Sequence, residues 1–597
     1  MKIIYSLSMA SLMLLWHTVS AFAQNPPGWA WAKQIGVFTS SQTARNSVAG
    51  LGHDAAGNLY LAGNYVGTPI FDGLAASNLG ESDVFIAKYS PGGSLIWLRA
   101  LQSTGIDVTT SLAVDANGRC TLTGNFGSGS GANLSFSSFG VSTTLIGAAA
   151  LGLPASNNSY EALSFVVAID ATGNLLWAHN PSPTYGLTIV ATHLDSSSNC
   201  YVSANTSSQS ALVVTGQNHP AVGVYDAVLI KYNSAGQPVW TRRVGTLGGY
   251  ATAAAVKTDN SGAAYWLVGH SGTLTVDQTT VNAPANGTNS LVKLSAASRV
   301  RWIKNNLLRV GTANAVDQLL HTSASDNTIY LSCNSSGGAI SFDSPASPLV
   351  VPTNTYTGCV ARCDTAGQIQ WVKPVLSATN VAGGWQGPLN TSIKNLIPDA
   401  SGYTVVTSTS RAGTTTFSGF GASFSPSEGG LIGIAHFNGN THLADWVRVG
   451  GVPASLQQIG GEANGSTVDS GGNVFVAGAF AGTARFGGTT LTSATIAYPE
   501  IFFAKLDQTV LSNRKAATGL RWALYPNPAR HSVTVADLPA SVRLRLTDAQ
   551  GRTVRVFGAA VAPGRRQLPL SGLAPGLYLL HAEANTGIYM PQKLLIE

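Results

Sequence analysis

Charge is scarce in this chain. Asp, Glu, Lys and Arg make up 10% of its 597 residues, while 44% are apolar and 66 are glycine, a balance that suits many strands and tight turns. The formal charge of +6 does not describe a nucleic-acid binder. From Gln24 to Asp507 there are 21 Lys and Arg against 23 Asp and Glu, so the basic excess sits at Lys2, in 508–521 and from Trp522 onward. Nucleic acid needs a clustered basic face, and the main body has no such surplus.

Cysteine is sparse too, and five is an odd number, which excludes a disulfide scaffold. Cys333 lies in one strand and Cys359 and Cys363 in the next, so the spacing leaves open one bridge across that pair. Cys120 and Cys200 fall in equivalent strands of different repeats and read as small buried apolar residues. A zinc site at Cys359-x-x-x-Cys363 lacks a second ligand pair. There is no Gly-x-Ser-x-Gly, P-loop or dinucleotide fingerprint. His53, His193, His270, His321 and His436 have no metal-ligand spacing. No cofactor is expected.

Apolar runs are short except at the start. Lys2 precedes a run from Ile3 to Trp16, and Ala21-Phe22-Ala23 offers small residues before Gln24, so 1–23 reads as a secretory signal peptide. His17, Thr18 and Ser20 interrupt the run, which argues against an anchor. No later stretch is long enough to span a bilayer as a helix, so the mature chain is expected to lack a transmembrane segment.

What the chain does have is repetition. Asp83 to Trp97, DVFIAKYSPGGSLIW, reads as two strands and a turn. Copies end at Trp177, Trp240, Trp302, Trp371 and Trp446, and a seventh, Ile501 to Asp507, stops short of any tryptophan. An earlier half, as in SVAGLGHDAAGNLYLAGNY, turns at Asp54, Asp115, Asp195, Asp259, Asp326, Asp399 and Asp469, spaced 61, 80, 64, 67, 73 and 70 residues apart. Four strand signals per unit of that length describe a propeller blade, and the equal counts argue for seven units. The fold class is thus all-β, a seven-bladed β-propeller over 24–507.

The mature N-terminus, GWAWAKQIG, matches the strand that the seventh unit lacks. Residues 28–36 are expected to complete that blade, because an open array would leave two unpaired edges. Phe71-Asp72-Gly73 or Phe486-Gly487-Gly488, followed by Asp-x-Phe-x-Ala-Lys-Tyr and Gly-x-x-x-Trp, resembles the SBBP-type β-propeller repeats of bacterial exported proteins across residues 28–507. That resemblance implies a propeller and says little about a ligand.

Residues 508–521 are polar, basic and aperiodic, and read as a linker. From 522 to 597 alternating Val/Leu with Arg/Thr, and turns at Asp548 to Gly551 and Ala574 to Gly576, give a small antiparallel β-sandwich. Tyr525, Pro526, Asn527 and Pro528, then Leu546 to Asp548, then Gly572, Leu573, Pro575, Gly576 and Tyr578, and the closing Lys593, resemble the type A C-terminal sorting domain of the type IX secretion system of Bacteroidetes. The resemblance implies a partner, the secretion machinery, and export to the exterior or the outer cell surface.

The Asp turns read as hairpins in which Asp bonds its own backbone, since no distant Glu completes a calcium loop. Asp170 to Trp177 is similar to the Asp-box of sialidase propellers, but its spacing departs from that pattern and no arginine cluster accompanies it. The short turns lie at one end of the ring, and the long, variable connections at the other, where binding usually resides. Candidates there are Arg45, Asp107, Tyr185, Tyr250, Asp317 and Trp385. The expected role is non-enzymatic binding of a glycan or protein. A polysaccharide-active enzyme with carboxylates from distant blades, or a structural surface component, are the alternatives.

Overall fold

In a computed structural model the described residues are 27–35, 46–128, 130–151, 153, 163–182, 184–207, 212–214, 217–284, 287–310, 315–323, 327–341, 349–380, 391–399, 401–409, 413–418, 423–424, 431–451, 462–493, 499–507, 523–538, 542–548, 553–558, 564–583 and 592–597. The expected leader and linker lie outside them, as do Arg45, Asp326 and Trp385. The chain divides into two compact units, Met1–Gln508 and Thr509–Glu597. Among the described residues no helix is long and apolar enough to cross a membrane.

The first unit is built of antiparallel four-stranded sheets, each an up-and-down meander, in a propeller-like arrangement. In the first sheet Ser47–His53 pairs with Leu59–Tyr65, that strand with Asp83–Tyr89, and that with Leu95–Leu101. The second runs from Ile106–Val114 to Leu175–His179 and the third from Leu187–Leu194 to Pro238–Val244. The same four-strand unit recurs from Ala251–Thr258 to Val300–Val310 and from Ala315–Thr322 to Ile369–Asn380. These two are joined into one larger sheet where Arg309 and Val310 pair with Ser341 and Ile340. Thr391–Pro398 begins the sixth unit and Glu462–Val468 the seventh.

The middle strands are apolar on both faces, as sheets packed on two sides require. Leu59–Tyr65 and Asp83–Tyr89 are buried throughout. Alternate residues serve different cores: Leu61, Phe85 and Ala87 pack with Phe475 and Phe503, while Ala62, Val84 and Ile86 pack with Leu122 and Phe165. Each first strand carries a bulge at the same place, from Val48/Gly50 and Thr109/Ser111 through Ile189/Ala191, Ala253/Ala255, Val316/Leu319 and Ile393/Asn395 to Ala463/Gly465. A bulge bends its strand and strengthens the local twist.

Tryptophan joins one sheet to the next. Trp97, Trp177 and Trp240 donate their indole N–H to Ala171, Ser234 and Ala296, carbonyls in the last turn of the following sheet, at 3.1, 3.3 and 3.1 Å. The indoles of Trp97 and Trp177 lie against the glycine of that turn. At Gly173 and Gly236, with φ of +87° and +82°, a Cβ would stand 3.0 and 2.6 Å from Trp97 and Trp177.

Gly28–Ile35 pairs antiparallel with Glu500–Asp507, from Trp29 opposite Leu506 to Ile35 opposite Ile501, where the sequence pattern put it. Trp31 stands opposite Lys505, just as Trp97 stands opposite Lys88 and Trp240 opposite Lys231. It also lies against Gly93 of the first sheet, 3.0 Å from the place of a Cβ.

The second unit consists of a three-stranded sheet, Ala523–Tyr525, Ser532–Leu538 and Gly564–Pro569, and a four-stranded sheet ending in Gln592–Ile596. The two share one core that includes Val533, Val535, Leu544, Leu546, Leu580 and Leu594. Asn527 holds the last strand: its amide N–H donates to Lys593 O at 2.6 Å and its Oδ1 accepts from Leu595 N at 2.8 Å. Tyr578 closes the Gly572–Gly576 turn through its hydroxyl on Ala574 O, at 2.8 Å.

Candidate functional site

An antiparallel meander puts the first and third turns of every sheet at one end of the unit, and the second turn and the link to the next sheet at the other. The turn end repeats itself in five of the units. Asp54 Oδ1 accepts from Ala56 N and Asn58 N at 3.1 and 2.8 Å, and Asp115, Asp195, Asp259 and Asp469 repeat the arrangement at residues i+2 and i+4. These are the hairpin turns expected from the sequence. Fused to them is a network the sequence reading missed. Lys88 Nζ lies 3.4 Å from Asp54 Oδ2 and 4.9 Å from the Tyr60 ring centre, and Tyr60 donates its hydroxyl to the same carboxylate at 3.2 Å. Tyr265, Lys293 and Asp259 repeat it. Against the opposing pull of burial, hydrogen bonds from Asn58 and the charge of Lys88 hold Asp54 below the usual carboxylate range.

In the sixth unit the cation is a histidine. His436 Nδ1 is 2.9 Å from Asp445 Oδ2, and its Nε2 is 3.2 Å from Asp399 Oδ2 and 3.0 Å from Ser401 Oγ. Ser, His and Asp in this order resemble a hydrolase triad, but the hydroxyl of Ser401 donates to Asp399 Oδ1 at 2.6 Å. Burial pulls His436 down, and hydrogen bonds and charge from Asp399 and Asp445 outweigh it, so its pKa is raised and its cation favoured. His436 faces Trp446 in register as Lys88 faces Trp97, so it holds the position of the repeat's cation.

The loop end is irregular. Asp107, taken from the sequence as a loop-face binding residue, is 0% exposed. Its carboxylate accepts from Ser103 Oγ at 2.6 Å, Gly127 N at 2.9 Å and Ser103 N at 2.5 Å, and burial pushes its pKa up to about 7 against those bonds. Asp107 therefore ties its own loop down, buried and not on an open face as the sequence suggested. Asp83 does the same for Leu79 N at 2.8 Å, and Asp226 for Val222 N and Gly223 N at 2.9 and 2.7 Å. Tyr185 is partly buried against the core of the second sheet. Asp317 falls within the bulge of the fifth unit's first strand, with its side chain outside the described residues.

Tyr250 is different: it is 42% exposed, and it forms a parallel bridge with Tyr225, 53% exposed, on the neighbouring sheet. Around the pair lie Val222, Val224 and Leu247, all exposed, Leu247 at 93%. The backbone beneath is fixed. Val224 N donates to Gly249 O at 2.8 Å, Gly249 N to Thr246 O at 3.0 Å, and Gly248 takes a φ of +69° that closes the turn. Asp226 pairs with Arg243 Nε at 2.7 Å, both side chains almost wholly buried, and Arg243 Nη1 donates to His219 O at 2.8 Å. Five exposed apolar side chains thus sit on two short loops held by a buried ion pair. Tyr225 opens the strand-like run YDAVLIKY, which gave no sign that its first residue stays outside.

All five cysteines are buried and free. Cys333 and Cys359 stand directly opposite each other, and Cys363 stands opposite Ile329. Among the described residues no three His, Cys, Asp or Glu side chains form a metal-binding group.

No curated protein matches this chain. Similar solved structures include PorZ, a surface component of the type IX secretion system of Porphyromonas gingivalis, at 10% identity over 95% of this chain and 100% of that one, with a TM-score of 0.19. The extracellular domain of BT4673 of B. thetaiotaomicron, at 10% identity, covers 95% and 99% with a TM-score of 0.16. An apocarotenoid oxygenase of Synechocystis, at 9% identity, covers 71% and 94% with a TM-score of 0.30. Likenesses this remote carry no functional argument. Residues 523–597 match the secretion system C-terminal sorting domain. The motif residues from Tyr525 to Lys593 all fall within that span, and the chain is accordingly a type IX secretion cargo, delivered to the cell surface or the exterior.

Proposed function

We propose that 1–23 is a cleaved leader, that SBBP-type repeats over 24–507 close into a ring of seven blades, and that the exported ring is a non-enzymatic module binding a glycan through Tyr225 and Tyr250. Ring closure is supported by the order in which first strands touch: Ser47–His53 contacts Ile106–Val114, and so on through Leu187–Leu194, Ala251–Thr258, Ala315–Thr322, Thr391–Pro398 and Glu462–Val468, which contacts Ser47–His53 again. Trp31, in the tryptophan position of the seventh blade and against Gly93 of the first, supports it too.

The binding role rests on one observation, the exposed Tyr225–Tyr250 pair on a backbone fixed by Asp226 and Arg243. Tyrosines offer flat apolar faces for the C–H face of a sugar ring, with hydroxyls for its edge, and a rigid platform loses little entropy on binding. Asp83, Asp107 and Asp226, three carboxylates of the loop end, are buried and bonded to their own loops, which favours binding over hydrolysis at those positions. A glycan array probed with the secreted protein should show a defined set of sugars. Tyr225→Ala and Tyr250→Ala should each weaken binding by about tenfold or more while changing stability by less than about 0.5 kcal/mol. An array with no retained sugar, or variants that bind like the parent, would remove the proposal.

A further inference from the structure

Three basic side chains stand together at the turn end of the first strands. His193, Lys257 and His321 hold the same register position in three consecutive sheets, opposite Tyr201, Tyr265 and Tyr330. Their strands are stitched there: His193 Nε2 lies 3.0 Å from Thr258 Oγ1, and Thr322 donates its hydroxyl to Thr258 O at 3.0 Å. Each is enclosed by protein yet only partly screened from solvent, as expected of a side chain lining a narrow channel.

Among the described residues no carboxylate forms an ion pair with the cluster. Lys257 makes no hydrogen bond or ion pair among the described residues, and Nε2 of His321 is buried without a partner. Burial lowers the pKa of all three, His193 and His321 well below the usual imidazole value, and Lys257 adds its charge to the lowering of both histidines. The contrast lies across the ring, where His53 is 2.7 Å from Thr467 Oγ1 and feels Asp469 and Asp54. Enclosing an ammonium with no counter-charge is costly unless a ligand supplies one.

We infer that His193, Lys257 and His321 form a site for a compact tetrahedral oxyanion, phosphate or a phosphate ester, at the turn end of the channel. Lys257 supplies a point charge with three donors, and the imidazoles supply N–H donors from the flanking strands. Free phosphate and the phosphate of a sugar ester share this chemistry. The inference rests on ring closure and is independent of the tyrosine platform at the opposite end.

The test titrates the full mature chain with inorganic phosphate and, separately, glucose 6-phosphate, following calorimetric binding and the melting temperature against sodium chloride at matched ionic strength. Saturable binding is expected for at least one probe. It should weaken by tenfold or more in Lys257→Met and His321→Gln, and stay unchanged in Tyr225→Ala. Response to phosphate alone assigns a free-anion site, and response to the ester assigns a glycan-phosphate site. Melts without ligand report the ring itself, so a variant that melts like the parent but has lost the response locates the effect in the site. If Lys257→Met fails to fold, His321→Gln decides. No binding beyond chloride, or undiminished binding in a folded variant, overturns the inference.

Discussion

The two ends of the propeller-like unit solve different problems. At the turn end one arrangement recurs: an aspartate on two amides, a cation from the third strand, a tyrosine between them, and the indole of the preceding sheet against the next glycine. At the loop end carboxylates such as Asp83, Asp107 and Asp226 are each committed to a different loop, and apolar side chains stand exposed on only some of them. Repetition marks what every blade needs in order to stand, and departure from it marks where one blade does something its neighbours do not.

That contrast presupposes a ring, so the largest effect tests the ring. Deleting residues 28–35 removes the strand that pairs with Glu500–Asp507 and both tryptophans of the seam. Trp31 meets Phe503 edge-on at 5.0 Å between ring centres, and Trp29 meets Phe486 at 4.9 Å. An aromatic of this size buries about 150–250 Å², which at about 25 cal/mol per Å² gives roughly 4–6 kcal/mol per residue as an upper bound. The shortened chain should melt markedly lower in calorimetry. A chain that melts like the parent would mean the sheets form an open series.

The second effect separates the ends. Asp226→Ala leaves Arg243 buried without its carboxylate and frees the amides of Val222 and Gly223. Breaking a buried pair from one side costs about 3–5 kcal/mol, and the tyrosine platform should be lost with it. Asp115→Ala at the turn end removes hydrogen bonds from Asn117 N, Arg119 N and Ser198 Oγ but strands no cation, and should cost about 1–2 kcal/mol with binding intact. Urea denaturation of the two variants beside the glycan assay checks both. Equal losses in stability and binding would erase the distinction between the ends.

The turn end was legible in the sequence because its determinants are local: an Asp, in five of the seven copies a Gly three residues on, then a strand pattern. Even the seam was legible, since GWAWAKQIG is a strand in search of a sheet. The Asp54, Lys88 and Tyr60 network was harder to see, because 34 residues separate the carboxylate from its cation, although the lysine recurs in Ala-Lys and Ile-Lys runs. Loop-end chemistry was read less well. Asp107 and Tyr250 look alike as polar loop residues, and what parts them is tertiary: the carboxylate of one folds back onto Ser103 and Gly127, while the backbone of the other bridges to Tyr225 from the sheet before. Tyr225 and Leu247 carry no local sign of exposure, because exposure is set by which loops happen to be neighbours.

The smallest effect probes the cation position of the turn end, where the sixth unit departs from the first. His436 stands where Lys88 stands, and its pKa is raised from 6.5 in the folded chain, while that of Asp399 is lowered from 3.8 to about 2. A base with a raised folded pKa contributes stability that is whole below its unfolded value and is lost as pH climbs through the folded one. An acid with a lowered folded pKa contributes stability that is whole above its unfolded value and is lost as pH falls through the folded one. The pair is therefore at full strength between about pH 4 and 6.5 and fades above that. A lysine holds its charge through this range, as in the first unit. His436→Lys should melt with the parent at pH 5.5 and about 1–2 °C above it by pH 9, the shift being small in so long a chain. Two melting curves that run parallel from pH 5.5 to 9 would mean that this position carries no charge-dependent stability, and that the likeness between His436 and Lys88 stops at geometry.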